Sequence, residues 1–442
     1  MKLCIFQKKQ SGQAALLFFS VMLFKFACDL GYAVILSRDT ATYTYDVDGF
    51  RYLNGLAWCT ILFWGIRHGK RQASVFMLCL VYLMQIIPIT TVYALGNKSA
   101  VYYNTVCMAF LLCEILVQWI HIRDIPYLQK SPVISFLMMA VMAGALAGLA
   151  IYIVRKNGMF TLTALNIYKV YELRSSGSFI IGKYTGYLFT WMLAAIIPFF
   201  LAKKINDKNY MVAFILCGIV WIAYLYSGHK GYLFSLPVIF VSSLWAGRKN
   251  FYHEVFICAC VVFFILVILA CYSPIFQRLF EEIYSLLGRR QMMVSANNKF
   301  AYYDFFSKNP KMGLSGIFPR WLFPIPTPYA DIRYTFLISE LYYGKPEMNS
   351  NTGFLAEGYM RFGHIGTFLI LILFAVLLKM MDRMQRNEGY PLTIGAFIYP
   401  VLSLSDVHLI DTLFFGTWMM ILIFLLFYTH YPGIKTERNR YE

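Results

Sequence analysis

Apolar residues gather into long stretches, most of them near the roughly 18–20 residues a helix needs to cross a bilayer core of about 30 Å. Twelve can be marked out: 13–36, 52–66, 73–95, 102–122, 132–154, 184–202, 210–227, 232–247, 251–272, 362–380, 391–406 and 408–429. Those at 52–66, 232–247 and 391–406 are short for a full crossing. The pattern predicts an all-α polytopic membrane protein of about 12 transmembrane helices, since backbone groups in lipid must be paired within the segment. It breaks once. From 273 to 361 a long loop replaces the spans, dividing the chain into 1–272 with spans one to nine, the insert, and 362–442 with spans ten to twelve and a tail.

The insert carries helical patterns of its own. After Pro274, the residues Phe276, Leu279, Phe280, Ile283 and Leu287 recur at helical spacing, with Arg278, Glu281 and Glu282 between them. An amphipathic helix is expected over 275–288, lying on the membrane surface or on the bundle. Further helices are expected over about 295–307, ended by Asn309-Pro310, and over about 333–343. The segment 319–328 holds four prolines around Trp321 and Phe323, so it reads as a rigid extended loop. Roughly one residue in five of 273–354 is aromatic, which suits stacking on sugars or anchoring at the lipid interface equally well.

Composition agrees: 59% of the chain is hydrophobic and 14% charged, against about 25% charged in a soluble protein. The first apolar run is long and lacks a small-x-small site after it, so it is expected to stay as a span. Lys and Arg in short loops set orientation. With the N-terminus inside, the cytoplasmic segments hold nineteen basic residues, and the short external loops hold four: Arg38, Arg51, Lys98 and Lys230. Both termini are therefore expected in the cytoplasm and the insert outside.

Two long external loops carry positive charge that orientation does not require. The loop 155–183 has five basic residues against Glu172, and 273–354 has nine basic against six acidic. An anionic ligand and anionic lipid headgroups both account for it. Nucleic acid does not fit, because the basic residues are dispersed and external. All cysteines but Cys4 lie in or beside spans, which excludes an external disulfide framework. No carboxylate or histidine cluster calls for a metal or other cofactor.

Ionisable residues within spans need a reason, because a charge there costs about 2.5–3.5 kcal/mol on insertion scales. Lys25 and Asp29 stand four apart on one helix face and read as an ion pair. Glu114 reads as an interhelical hydrogen-bonding group or a proton-relay residue. Gly144-x-x-x-Gly148 reads as a close helix contact.

Four short motifs follow in order on the external side. They are Tyr171-Glu172-Leu173-Arg174; Ser227-Gly228-His229-Lys230-Gly231; Gly288-Arg289-Arg290 with Lys308-Asn309-Pro310 and Gly313; and Asn351-Thr352-Gly353-Phe354, then Glu357 and Phe362-Gly363-His364-Ile365-Gly366. In order and sidedness this set resembles the O-antigen polymerase (Wzy) family, with the related O-antigen ligases behind it. The resemblance runs from about 160 to 380 and includes the twelve-span plan with its late external loop. Two positions depart from it: Lys230 stands where the family usually has Arg, and Ser350 precedes Asn351 where ligase-like relatives carry His.

The resemblance implies a glycosyltransferase in the bacterial inner membrane. It would move a growing glycan from one polyprenyl pyrophosphate carrier to a sugar hydroxyl on a second carrier-linked repeat unit. A chain-length regulator and a flippase of the same pathway are implied partners, alongside membrane lipid. A pyrophosphate leaving group needs fixed cations, for which Arg174, Arg289 and Arg290 are suited by geometry and Lys230 by charge. Glu357 is the expected base or orienting acceptor for the hydroxyl, or else an acid satisfied by Arg361. Asn351, Arg333 and His364 complete the expected substrate-binding set. The competing class is a lipid-linked oligosaccharide flippase, which should concentrate polar residues inside the spans rather than in one insert.

Overall fold

The computed structural model describes residues 2–67, 72–121, 132–158, 180–248, 250–317, 325–329, 333–414, 416–419 and 421. Among these every regular element is helical, and strand-type pairing is confined to one isolated bridge between Asp46 and Gly96. Eight helices are long and apolar enough to cross a membrane: Gly12–Arg38, Ala73–Leu95, Ala100–Trp119, Ala140–Asn157, Tyr184–Asn206, Tyr210–Ser227, Phe251–Tyr272 and Phe354–Arg386. Gly231–Trp245, Tyr390–Ser403 and Leu409–Met419 are shorter apolar helices, and Gly49–Arg67 is less apolar. All four fall on expected spans.

Two of the spans widen where proline demands it. Tyr82–Ile86 and Met192–Ile196 are π-helical turns, each directly before an Ile-Pro pair, Ile87-Pro88 and Ile197-Pro198. Proline offers no N–H and its ring crowds the carbonyl four residues back, so the preceding turn loosens to accommodate it.

The helices fall into two compact units. The first comprises Met1–His121, Arg248–Asp382 and Val401–Asp411. Here Lys2–Val34 packs along Phe251–Tyr272, with the rings of Phe24 and Phe263 4.7 Å apart. Lys25 donates to Asp29 as expected, and Asp29 also accepts from Tyr52 Oη at 3.0 Å and Thr91 Oγ1 at 2.8 Å. The pair thus ties three helices. Glu114 is buried against Gly65, and neither carboxylate oxygen has a hydrogen-bond partner among the described residues, so the expected interhelical hydrogen bond is not formed with them.

Contacts in this unit sort its loops into two ends. At one end Arg51 Nη1 meets Asn97 Oδ1 at 2.7 Å, Asn297 Nδ2 donates to Thr42 O at 3.1 Å, and Arg38 pairs with Glu281 at 3.0 Å. At the other, Asp382 accepts from Ser74 N at 2.9 Å and Ser74 Oγ at 2.7 Å, and the ring of Phe76 stacks on Phe251 at 5.4 Å. Each group joins only segments expected on one side of the membrane.

The second unit comprises Ile122–Gly247, Arg383–Pro400 and Thr412–Glu442. Ile197–Asn206, Tyr210–Ser227 and Lys230–Trp245 pack pairwise. Gly395 lets Tyr390–Ser403 approach Ser243 and Ala202 so closely that any side chain there would collide with both. Nothing described lies within 4 Å of a side chain placed at Gly144 or Gly148, so the expected close contact is not formed with described residues.

Candidate functional site

The three expected insert helices are present, and the first holds the Arg289-Arg290 motif. Gln277–Tyr284 begins as an α-helix and continues as a nine-residue π-helical stretch, Ser285–Met293. Such stretches are rare and recur at functional sites. Gly31 and Gly288 both press on the ring of buried Tyr284, which fixes the stretch against the N-terminal helix. Phe276, Leu279 and Leu287 face outward while Phe280 and Ile283 are half-buried, so part of the apolar stripe stays open and suits a membrane surface.

Arg289 is half-buried, 3.9 Å from Asp39, and shares a cavity of about 240 Å³ with Tyr43, Glu281 and Glu282. Burial pushes the Tyr43 hydroxyl up to about 12, against the opposing pull of Arg289. Arg290 is exposed. Its neighbour through charge is Asp406, whose carboxyl burial pushes up while Lys299 and Arg290 draw it down. Lys299 is itself buried, donates to Ser295 Oγ at 2.6 Å and Ser405 O at 3.4 Å, and is held below its usual range by burial. These bonds pin the second insert helix, Val294–Lys308, to the turn after Ser403.

The fourth motif is largely a backbone seam. A side chain on Gly353 would collide with the carbonyls of Leu404 and Ser405, so only glycine admits this approach. Asn351 is exposed, and its carbonyl accepts from Asn298 Nδ2 at 2.6 Å. The helix Phe354–Glu388 is broken at Phe362 and Gly363, where Gly363 takes φ +65° and ψ −147°. That conformation favours glycine, and the break brings Gly358 against Gly366. The spacing of Gly358, Gly363 and Gly366 is therefore a fold-back at the start of the tenth span.

Glu357 is fully buried. Its Oε1 meets Arg361 Nε at 3.2 Å and its Oε2 accepts from Leu409 N at 2.7 Å and Ile410 N at 3.3 Å. Arg361 Nη1 in turn donates to Ser315 O at 3.0 Å and Gly313 O at 3.3 Å. The carboxylate thus caps one helix and anchors the 313–315 turn, rather than facing an incoming hydroxyl. His364 is exposed, with Nδ1 2.9 Å from Thr105 Oγ1 and its ring 5.1 Å from Tyr359. Arg333 is exposed at the head of Tyr334–Tyr343.

The first two motifs belong to the second unit. Arg174 lies outside the described residues, but the ends of its loop are tied. Asn157 Oδ1 accepts from Ile180 N at 2.6 Å, and its Nδ2 donates to Ile180 O at 3.1 Å. Tyr226 Oη donates to Gly158 O at 2.9 Å, which sets the loop base beside the Ser227-to-Gly231 turn. Gly228 closes Tyr210–Ser227 in a left-handed conformation and Lys230 opens the next helix.

A second cavity, of about 320 Å³, was not foreseen from sequence. It lies among the loops at 40–44 and 97–99, the helix Val294–Lys308 and the end of Tyr334–Tyr343. Asp304 on its wall accepts from Tyr342 Oη at 2.6 Å and pairs with Lys308 at 2.9 Å. Burial raises the Asp304 carboxyl, but bonds from Lys308 and Tyr342 and the charges of Lys308 and Lys98 outweigh it, leaving a net lowering. Burial lowers the Lys98 ammonium, with Asp304 opposing. Tyr303 completes a run of rings, 4.9 Å from Tyr102 and 4.7 Å from Tyr359. The signal available in sequence was the cluster Asn297-Asn298 and Tyr302-Tyr303-Asp304 on one helix.

Compared with known proteins, the chain matches no family model, and no curated protein or solved structure matches it significantly.

Chemically, the end of the first unit offers two neighbouring polar cavities separated by the 39–44 segment. One presents Arg289 among carboxylates; the other presents amides, phenols, one carboxylate and one ammonium. In the first, an anion at Arg289 would compete with Asp39, 3.9 Å away. The second matches the donors, acceptors and flat faces of a sugar.

Proposed function

We propose that the protein polymerises oligosaccharide repeat units carried on polyprenyl pyrophosphate, at the external face of the bacterial inner membrane. The observation that carries this reading is the cavity between the 40–44 and 97–99 loops and the helix Val294–Lys308, set at one end of a membrane-spanning bundle. Its volume sits at the low end of ligand pockets, about 300–1,000 Å³, and its lining mixes Tyr faces with Asn, Asp and Lys. The order of the four motifs supports the same class.

In this scheme the acceptor hydroxyl attacks the anomeric carbon of the growing glycan, the bond to the carrier pyrophosphate breaks, and the hydroxyl proton passes to the departing pyrophosphate. Arg289 and Arg290 balance the charge that develops on the leaving oxygen; Arg174 and Lys230, in the second unit, are further candidates for an anionic part of the substrate. Glu357 acts as a positioning residue through Arg361. Asn351, Arg333 and His364 are exposed, and in this reading they bind substrate.

A strain lacking the gene is expected to carry one repeat unit on its surface anchor and no ladder of longer chains on gels of its lipopolysaccharide or capsule. Loss of all surface repeat units would overturn this reading in favour of a flippase. Orientation has its own test. Cysteines introduced at Lys311 or Thr327 are expected to react with an impermeant maleimide added outside, and one at Asn250 only after permeabilisation. The reverse pattern would place the cavity in the cytoplasm.

A further inference from the structure

The cavity behind the 40–44 loop holds two polar groups that the protein leaves open. The Lys98 ammonium is partly buried and, although drawn by Asp304, has no hydrogen-bond partner among the described residues. Asn297 is buried, spends its Nδ2 on Thr42 O and Tyr343 Oη, and leaves Oδ1 without a partner among the described residues. Burying such groups without partners is unfavourable, so a cavity that keeps them suits a ligand offering both hydroxyl donors and acceptors.

The charges narrow the ligand further. Lys98 and Asp304 are the only ionisable groups besides tyrosines among the cavity's lining residues; Lys308, 69% exposed, meets Asp304 from outside the lining. A uronate or phosphorylated sugar would gain from Lys98 but meet the Asp304 carboxylate in the same space. An uncharged ring meets no such penalty: its hydroxyls can donate to Asp304 and accept from Lys98, while Tyr303 and Tyr342 supply flat faces.

We infer that this cavity is a binding subsite for an uncharged sugar residue, oriented by Asp304 and Lys98 and stacked on Tyr303. This deepens the polymerase reading and rests on it for the identity of the glycan. In the transfer reaction Asp304 would hold the acceptor hydroxyl through a hydrogen bond; with Lys308 and Tyr342 already on its carboxylate, it orients rather than removes the proton.

The test uses the full-length protein in lipid nanodiscs, titrated with maltotriose, chitotriose and trigalacturonate and followed by tyrosine and tryptophan fluorescence. At least one neutral trisaccharide is expected to saturate. Asp304→Asn and Tyr303→Leu should each weaken that binding about tenfold, the effect of losing one charge-assisted hydrogen bond or one stacking face. Arg278→Ala, on the rim of the other cavity and 94% exposed, should leave it unchanged. Tighter binding of trigalacturonate, no binding of any of the three, or binding insensitive to Asp304→Asn overturns the inference. The same variants returned to the deletion strain separate the two claims. If the deletion strain lacks its ladder and Asp304→Asn restores it fully, the subsite is wrong and the polymerase reading stands. If the deletion leaves the ladder intact, the polymerase reading fails whatever the titration shows.

Discussion

Glu357→Ala is expected to lower the amount of folded protein sharply, because it leaves Arg361 as an uncompensated buried charge. Removing one partner of a buried ion pair costs about 3–5 kcal/mol. Both partners here are almost wholly inside, with Arg361 5% and Glu357 0% exposed. The variant also strips the caps from Leu409 N and Ile410 N. Thermal unfolding of the detergent-purified protein should therefore show a large drop in midpoint, and Glu357→Gln a smaller one, since an amide oxygen can still accept from one backbone N–H. The chemistry distinguishes a second outcome. If Glu357→Gln is as stable as the parent yet extends no chains, the carboxylate is a proton acceptor and its burial changes during the reaction cycle.

Helices were the legible part of this chain. The expected segments 295–307 and 333–343 appear as Val294–Lys308 and Tyr334–Tyr343, because apolar spacing and, for the first, an Asn-Pro stop mark them in sequence. The Lys25–Asp29 pair was readable from its spacing, but not its bonds to Tyr52 and Thr91, which depend on two other helices. The first insert helix departs from its expected form after Tyr284. A period of 3.6 residues cannot announce a π-helical stretch, and the packing of Gly288 and Gly31 on Tyr284 joins residues far apart in sequence. The candidate site was less legible for the same reason. Glu357 and Arg361 are four apart and readable as a pair, whereas Leu409 is not near them until the chain folds. The cavity draws on residues from Thr40 to Tyr343. Asp304 is marked only by the Tyr302-Tyr303 pair before it, and Lys98 carries no local mark that separates it from other surface charges.

Arg174→Ala and Arg289→Ala are each expected to abolish long chains while protein level and membrane insertion stay normal. A donor that strengthens its bond only as charge develops on the leaving pyrophosphate contributes about 10²–10³ in rate. Folding should not suffer at Arg289, because its pair with Asp39 is loose, at 3.9 Å and with side chains 43% and 39% exposed. Pairs of that kind contribute at most about 1 kcal/mol. Arg289→Lys should recover little, since a point charge cannot reproduce a two-pronged contact with phosphate oxygens. Two controls separate this role from the ion pair itself. Asp39→Asn breaks the same pair and frees the guanidinium, so it should leave chain length unchanged or increase it. Arg278→Ala removes a side chain that is 94% exposed and whose ion pair among the described residues is with Glu282, at 3.8 Å, and should be nearly silent. A deletion strain complemented with each variant, its glycan resolved by chain length, gives the comparison directly. If Asp39→Asn shortens chains as much as Arg289→Ala does, the pair is structural and the arginine does not hold the leaving group.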